Sequence, residues 1–333
     1  AVVRELELAE LALLRAGEGA LLEAEELALE QLRRQCGAVY LDEGLLAPAR
    51  ELEERARDEL LAGAALAAHE HGDVGVRDLL DDLAHLAHLR VVAAQQQQLG
   101  LRPGPAAQAL HLLLEGAFLE RLCGLAGMEV ALPMNTGAEG VETAIKLARK
   151  WGYQRKRVAA DRAEIIVCRN NFHGRTTTIV GFSSEAQYRD DFGPFGPGFT
   201  LIDFGDTAAL EKSITPTTVA FLVEPIQAEA GILIPPDGYL RAARRICKAK
   251  NVLFVLDEIQ TGLGRTGRMF AHEHESDAKP DVMILGKALG GGFYPVSAVL
   301  ARRDVMDVFT PGDHGSTFGG NTLAAAIGEA FLA

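Results

Sequence analysis

Five short apolar runs in the last 200 or so residues constrain this chain more than any other feature. They are Ile165–Cys168, Val219–Val223, Val252–Leu256, Val282–Leu285 and Val296–Leu300. Each is apolar at successive positions, so both faces of the strand it forms must be covered. Between them lie longer stretches with helical spacing, Glu139–Lys150 and Gly238–Lys250 among them. Strand-length runs alternating with helices predict an α/β architecture, a mostly parallel sheet between two helical layers. Ligands of such sheets sit at the carboxyl ends of the strands. The polar residues of this sequence collect there.

The chain divides sharply near residue 135. Before it there is no Lys, Ile, Asn, Ser, Thr or Trp, and the composition is mainly Ala, Leu, Glu, Arg and Gly. Residues 1–134 hold 11 Arg and 23 acidic residues, a net charge of −12, against −1 for the remainder. The overall charge of −13 argues against a nucleic-acid surface. Leu and Ala recur at helical spacing in Arg4–Leu14 and Glu51–Leu66. Residues 1–110 are therefore expected to be a helix-rich segment, and 111–333 the major domain. Gln95–Gln98 followed by Leu101–Pro105 reads as a linker. No apolar run approaches the roughly 18 residues of a membrane span. The opening is not a signal or transit peptide, which points to the cytoplasm. Cys36, Cys123, Cys168 and Cys247 form no CxxC pair and are expected to be reduced thiols.

Four segments carry chemistry. Asn135–Lys150 is a small-residue turn running into a strong helix former. The free N–H groups at such a helix start bind phosphate, and Gly137 permits close approach. A simple helix cap by Thr136 or Asn135 accounts for the same residues. In Val252–Gln260 an apolar strand ends in two carboxylates, Asp257 and Glu258. In Val282–Gly292 a lysine, Lys287, follows a strand directly and precedes a glycine run. A lysine held in an apolar pocket can lose its proton and form a Schiff base, whereas one reaching solvent is merely a surface charge. Asn170–Arg175 offers an aromatic ring, Phe172, and a guanidinium, Arg175, suited to bidentate carboxylate binding. Taken alone, His173 reads as a hydrogen-bonded loop residue.

Two motifs point elsewhere. Gly262–Gly267 matches GxGxxG but does not join a strand to a helix directly, which argues against a dinucleotide site. The pairs His69/His71, His85/His88 and His272/His274 lack HExxH spacing or a thiolate partner, so no metal is expected.

Together the four segments resemble class III (fold type I) pyridoxal-phosphate (PLP) aminotransferases, from about Leu113 to the end. Met134–Gly137, Leu147–Tyr153, Phe192–Pro197 and His314–Asn321 look most like the ornithine aminotransferase branch. The resemblance implies a three-layer αβα PLP-transferase fold and PLP as cofactor. Lys287 would be the Schiff-base lysine and proton carrier, and Asp257 would pair with the pyridinium. Gln260 would bond the ring hydroxyl, Phe172 would stack on the ring, and Gly137 and Ala138 would hold the phosphate. Arg175 would bind the substrate α-carboxylate, with Glu224 and Glu229 near the substrate. Thr317 would reach the phosphate of a neighbouring subunit, implying a homodimer with shared sites. The implied partners are a small-molecule amino donor and a 2-oxo acid. The implied reaction moves the δ-amino group of L-ornithine to 2-oxoglutarate, giving glutamate semialdehyde. Acetylornithine or 4-aminobutyrate aminotransferases are the near alternatives, and a truncated, non-catalytic PLP-fold binding protein is the distant one. The family's small C-terminal domain, with the arginine that faces Glu229, does not occur in this sequence. The first third also lacks the family's usual N-terminal pattern. It reads as a helical domain of its own, as a divergent replacement, or as a translation from a shifted frame of GC-rich coding DNA.

Overall fold

The computed structural model describes residues 105–333, with side chains from residue 114 onward. Except for residues 105–110, the helix-rich segment expected over 1–110 lies outside the described residues, as do His69, His71, His85 and His88. The described residues belong to one compact unit.

The described chain opens with α1 (Pro105–Ala126), β1 (Val130–Met134) and α2 (Gly137–Gln154). Next come β2 (Glu164–Cys168), the short turns α3 (Thr177–Gly181) and α4 (Ala186–Arg189), β3 (Phe199–Ile202), α5 (Thr207–Ser213) and β4 (Thr218–Val223). The rest is α6 (Tyr239–Ala249), β5 (Leu253–Asp257), β6 (Val282–Leu285), β7 (Ser297–Ala301), α7 (Arg303–Met306) and α8 (Thr322–Leu332). Pro105 begins a helix rather than ending a linker. Its missing N–H costs nothing in the first turn, and its fixed φ suits a helix start.

The strands form one seven-stranded sheet in the order β1-β7-β6-β5-β4-β2-β3. From β6 to β3 every neighbouring pair is parallel, while β7 is antiparallel to both β6 and β1. All five expected strands are present to within about a residue at each end. Two more, β1 and β3, were not expected. Each is half-exposed along most of its length, so neither shows an uninterrupted apolar run.

Alternate strand residues face opposite helical layers, as the pleat requires. Ile165, Val167, Leu222, Val255 and Ile284 pack with Val141, Ala144, Leu147 and Ala148 of α2. Ile166, Phe221, Val223, Phe254 and Leu256 pack with Leu240 and Ala243 of α6 and Leu210 of α5. Met283, Leu285, Ala298 and Leu300 pack with Phe118 and Leu122 of α1 and Ala325 of α8. This is a three-layer αβα sandwich, as the apolar runs predict. Helix α2 lies very close to the sheet. A Cβ on Gly152 would stand 2.2 Å from Val219 Cγ1. Among the described residues, no helix is long and apolar enough to cross a membrane.

Candidate active site

Parallel strands in adjacent positions end on the same edge of a sheet, and four of them assemble the site. In sheet order β6, β5, β4, β2, their carboxyl ends lead to Lys287, Asp257, Glu224 and the Phe172–Arg175 loop. The register carries this through. Val223 pairs with Leu256, which places Glu224 beside Asp257. Asp257 pairs with Ile284, three residues before Lys287.

The start of α2 closes one side. Thr136 caps the helix, its side chain accepting from Glu139 N at 3.3 Å. Glu139 reaches back to accept from Asn135 N at 2.7 Å and Thr136 N at 3.1 Å. This capping box satisfies its own donors and leaves Gly137 and Ala138 in the first turn, where a helix supplies no internal acceptor for an N–H. The cap by Thr136 is thus observed, and the anion-binding reading of the same segment is compatible with it. A Cβ on Gly137 would meet Ile259 Cδ1 at 3.0 Å, and one on Gly174 would meet Ala138 Cβ at 3.0 Å. The helix start is therefore wedged between the β5 loop and the Phe172–Arg175 loop.

Asp257 is buried, and its oxygens have different partners. Oδ2 lies 2.7 Å from His173 Nδ1, and Oδ1 accepts from Ile259 N at 3.1 Å. His173 is sealed from solvent, and its Nε2 has no partner among the described residues. Burial disfavours a charged imidazole. The hydrogen bond and charge of Asp257, with the charge of Glu224, outweigh burial and hold the His173 pKa above its ordinary value. Glu224 accepts from Phe172 N at 3.1 Å. Burial, reinforced by the charge of Asp257, pushes its pKa up to about 7 against the partial offset of His173. Glu258 turns away from this cluster. Fully buried, it accepts from Thr261 Oγ1 at 2.5 Å, Ala271 N at 3.0 Å and His272 N at 3.0 Å, with His272 Nδ1 at 3.1 Å.

Lys287 is exposed at the sheet edge, rather than enclosed in the apolar pocket that would favour its neutral form. Its backbone has φ +47, an uncommon conformation for a lysine, as the chain leaves β6 for a tight Lys287–Gly290 turn. Its Nζ donates to Gln260 Oε1. Arg175 is exposed and lies over two rings, Phe172 and Tyr188. Glu229 is exposed in a turn after β4. Thr317 is exposed as well. Its neighbour Ser316 accepts from Asn135 Nδ2 at 2.8 Å, which holds that segment beside the start of α2 in the same chain.

The other motifs find structural partners. Gly262–Gly267 is a loop with no helix behind it, and a Cβ on Gly262 would stand 2.7 Å from Glu258 O. His272 bonds Glu258, and His274 Nε2 lies 3.1 Å from Thr266 O. A groove of about 870 Å3, lined by Gly238, Arg241, Arg245, Lys248 and Lys279 among others, lies beside the residues leading into β1 and β6. It holds none of the expected site residues.

Two residues of the site escape a sequence reading. His173 sits beside the residues that were singled out, but only the fold brings it to Asp257. Tyr188 lies 13 positions beyond Arg175 on a separate turn. No motif links the two.

The ornithine aminotransferase of Brevibacillus brevis is 58% identical over 217 residues, covering 65% of this chain and 54% of the relative. That of Bordetella pertussis is 54% identical over 245 residues, covering 74% of this chain and 59% of the relative. The chain thus spans a little over half the length of these relatives. A solved ornithine aminotransferase from Toxoplasma gondii superposes with a TM-score of 0.65 at 49% identity, over 66% of this chain and 51% of that one. An acetylornithine aminotransferase from Elizabethkingia anophelis gives a TM-score of 0.56 at 48% identity, over 66% of this chain and 51% of that one. Residues 84–333 match the family model described as aminotransferase class-III. With its fold shared by these solved structures and three quarters of its length matched by the family model, the chain belongs to the class-III aminotransferase family.

Proposed function

We propose that this chain is a PLP-dependent aminotransferase acting on the δ-amino group of L-ornithine, with 2-oxoglutarate as acceptor and glutamate semialdehyde as product. Residues 111–333 are its cofactor-binding major domain. The observation that carries the reading is the buried Asp257, beside Lys287 on the edge of adjacent strands and backed by His173. An acid in that position suits a cofactor whose ring nitrogen must stay protonated. The start of α2, with the Gly137 and Ala138 N–H groups at the head of an 18-residue helix, suits its phosphate.

When bound, PLP supplies a carbonyl that binds amines covalently and a protonated ring that takes up the electron pair released on C–H cleavage. The chain's own residues do the rest. Asp257 would hold the proton of the ring nitrogen, with its orientation fixed by the hydrogen bond to His173. Phe172 limits the tilt of the ring. Lys287 Nζ would be the amine that holds the cofactor and, when free of it, the group that carries a proton. Gln260 accepts from Lys287 Nζ and would bond the ring hydroxyl. Arg175 would take the α-carboxylate of the donor, with Glu224 and Glu229 near the substrate. Thr317 reaches the phosphate site of a second copy in a homodimer.

The test is to add PLP, remove the excess and record the visible band of lysine-bound cofactor, with Lys287→Ala as control. L-ornithine should bleach the band in the parent, and 2-oxoglutarate should restore it. A soluble parent without a band overturns the cofactor reading. A likeness to an acetylornithine enzyme at 48% identity keeps that substrate in the panel. Preference for N-acetyl-L-ornithine or 4-aminobutyrate over L-ornithine removes the ornithine assignment but leaves the aminotransferase.

A further inference from the structure

Arg175 is the side chain that the proposed function assigns to the substrate carboxylate. Among the described residues, no carboxylate pairs with it. A long, exposed arginine without an acid partner has many rotamers open to it, and binding a ligand in one of them costs that freedom. Two aromatic rings restrict it here. The guanidinium carbon lies 5.6 Å from the centre of the Phe172 ring and 4.4 Å from that of Tyr188. The rings meet edge to face, 6.0 Å apart at 75°. Phe172 is committed to the cofactor in the same reading, which leaves Tyr188 as the nearer and freer support.

Tyr188 is itself braced. It stands on α4, where its N–H donates to Glu185 O at 3.1 Å and Asp190 N donates to Ala186 O at 2.9 Å. Arg189, next in sequence, donates to Ser183 O at 3.3 Å and lies 5.3 Å from the centre of the Phe195 ring. The turn is thus pinned on both sides of Tyr188. A guanidinium laid over a ring uses its face for the attraction. Its N–H donors lie in its own plane, so they stay available for a bidentate carboxylate.

We infer that Tyr188 is a positioning residue that presets Arg175 for substrates carrying a carboxylate, and so helps to separate amino acids from plain amines. The inference rests on the reading of Arg175 as the carboxylate ligand. It has two consequences. Losing the ring weakens only those ligands that Arg175 grips, and it leaves the proton transfers at Lys287 alone.

The experiment uses the PLP-loaded protein in single-turnover half-reactions without a 2-oxo acid. The donors are L-ornithine and 1,4-diaminobutane, which has the same carbon chain without the carboxylate. Calorimetry with glutarate, a dicarboxylate with no amino group to transfer, gives a binding readout independent of turnover. Tyr188→Leu should weaken L-ornithine and glutarate by about tenfold each, the effect of losing one well-placed cation–π contact. The limiting rate should stay within about twofold. Binding of 1,4-diaminobutane should not change. Tyr188→Phe keeps the ring face and should stay near the parent. Equal weakening of both donors, or of neither, overturns the role of Tyr188. Arg175→Gln separates the two levels. If it weakens L-ornithine and glutarate while Tyr188→Leu does not, only Tyr188 falls. If Arg175→Gln changes neither, or if the parent binds no glutarate, the reading of Arg175 falls and the inference with it.

Discussion

His173 Nδ1 and Asp257 Oδ2 stand 2.7 Å apart, with His173 wholly buried and Asp257 nearly so. A buried carboxylate is tolerable only with donors around it, and His173 Nδ1 and Ile259 N are the groups at its oxygens. Replacing His173 by Phe keeps the volume roughly and strands the charge of Asp257. The expected loss is about 3–5 kcal/mol of unfolding free energy, read from urea titrations. The double variant His173→Phe/Asp257→Asn should recover part of that loss, because no charge is left unpaired. Simple addition of the two single losses would mean that the residues are not coupled.

The second prediction concerns pH. Burial, with the charge of Asp257, raises the Glu224 pKa from 4.5 to about 7. Between those values the folded chain keeps a proton that the unfolded chain releases, so stability falls as pH rises through this window. The drop amounts to roughly 3 kcal/mol, at about 1.4 kcal/mol per pKa unit. The raised pKa of His173 acts in the same direction. Its contribution is present below its unfolded pKa and is lost as pH rises through its folded one. Unfolding free energy measured from about pH 5 to 8 should therefore decline, and Glu224→Gln should flatten the curve. A parent whose stability climbs over that range contradicts the burial of an uncharged Glu224.

Glu258 makes the loop after β5 a rigid element. Its two oxygens receive donors from Thr261, Ala271 and His272, which folds the intervening residues back on themselves. Glutamine at this position turns one acceptor into a donor facing donors, at a cost of about 1–3 kcal/mol for each group left unmatched. Arg265 and Arg268 are exposed within that loop. Limited trypsin digestion should cleave after them faster in Glu258→Gln than in the parent. Unchanged cleavage would show that the loop is held by other contacts.

Packing gives the fourth prediction. Gly152→Ala drives a methyl group to within 2.2 Å of Val219 Cγ1 in the fully buried β4. Overpacking of this kind costs about 1–3 kcal/mol. Gly196→Ala meets nothing within 4 Å and should change stability by less than about 0.5 kcal/mol. Thermal melts of the two variants should differ by several degrees. Equal melting temperatures would mean that α2 can shift away from the sheet at no cost.

How much of this was open to a sequence reading depends on the kind of residue. Val219–Val223 and Val282–Leu285 announce themselves, because a central parallel strand must be apolar on both faces. Lys287 and Asp257 are legible because each follows such a strand directly. The strand β1, half-exposed and containing Pro133, carries no such signal. The reversed direction of β7 is equally silent, since pairing direction leaves no mark on composition. His173 shows the limit most clearly. Nothing in a Phe-His-Gly-Arg stretch says which nitrogen will meet which carboxylate 84 positions away, and only the closed sheet decides it. Lys287 is exposed, unlike the enclosed lysine that the motif suggests, and it opens a tight turn at φ +47.

The pairing of β1 with β7 joins the first strand of the described chain to the last. The helices behind them meet too, with Arg121 Nε of α1 2.8 Å from Glu329 Oε1 of α8. A ribosome delivers these partners at opposite ends of the domain's synthesis. While residues 135–296 emerge, β1 has no strand to pair with, and the apolar side of α1 lacks α8. Strands β2 to β6 can collapse as they appear, but the sheet acquires its outer edge only after Ala301 is free. Such long-range closure makes folding slow, because the chain between must be ordered before these contacts repay the cost. The opening helix and strand of this domain therefore stay without their partners until β7 and α8 have been made.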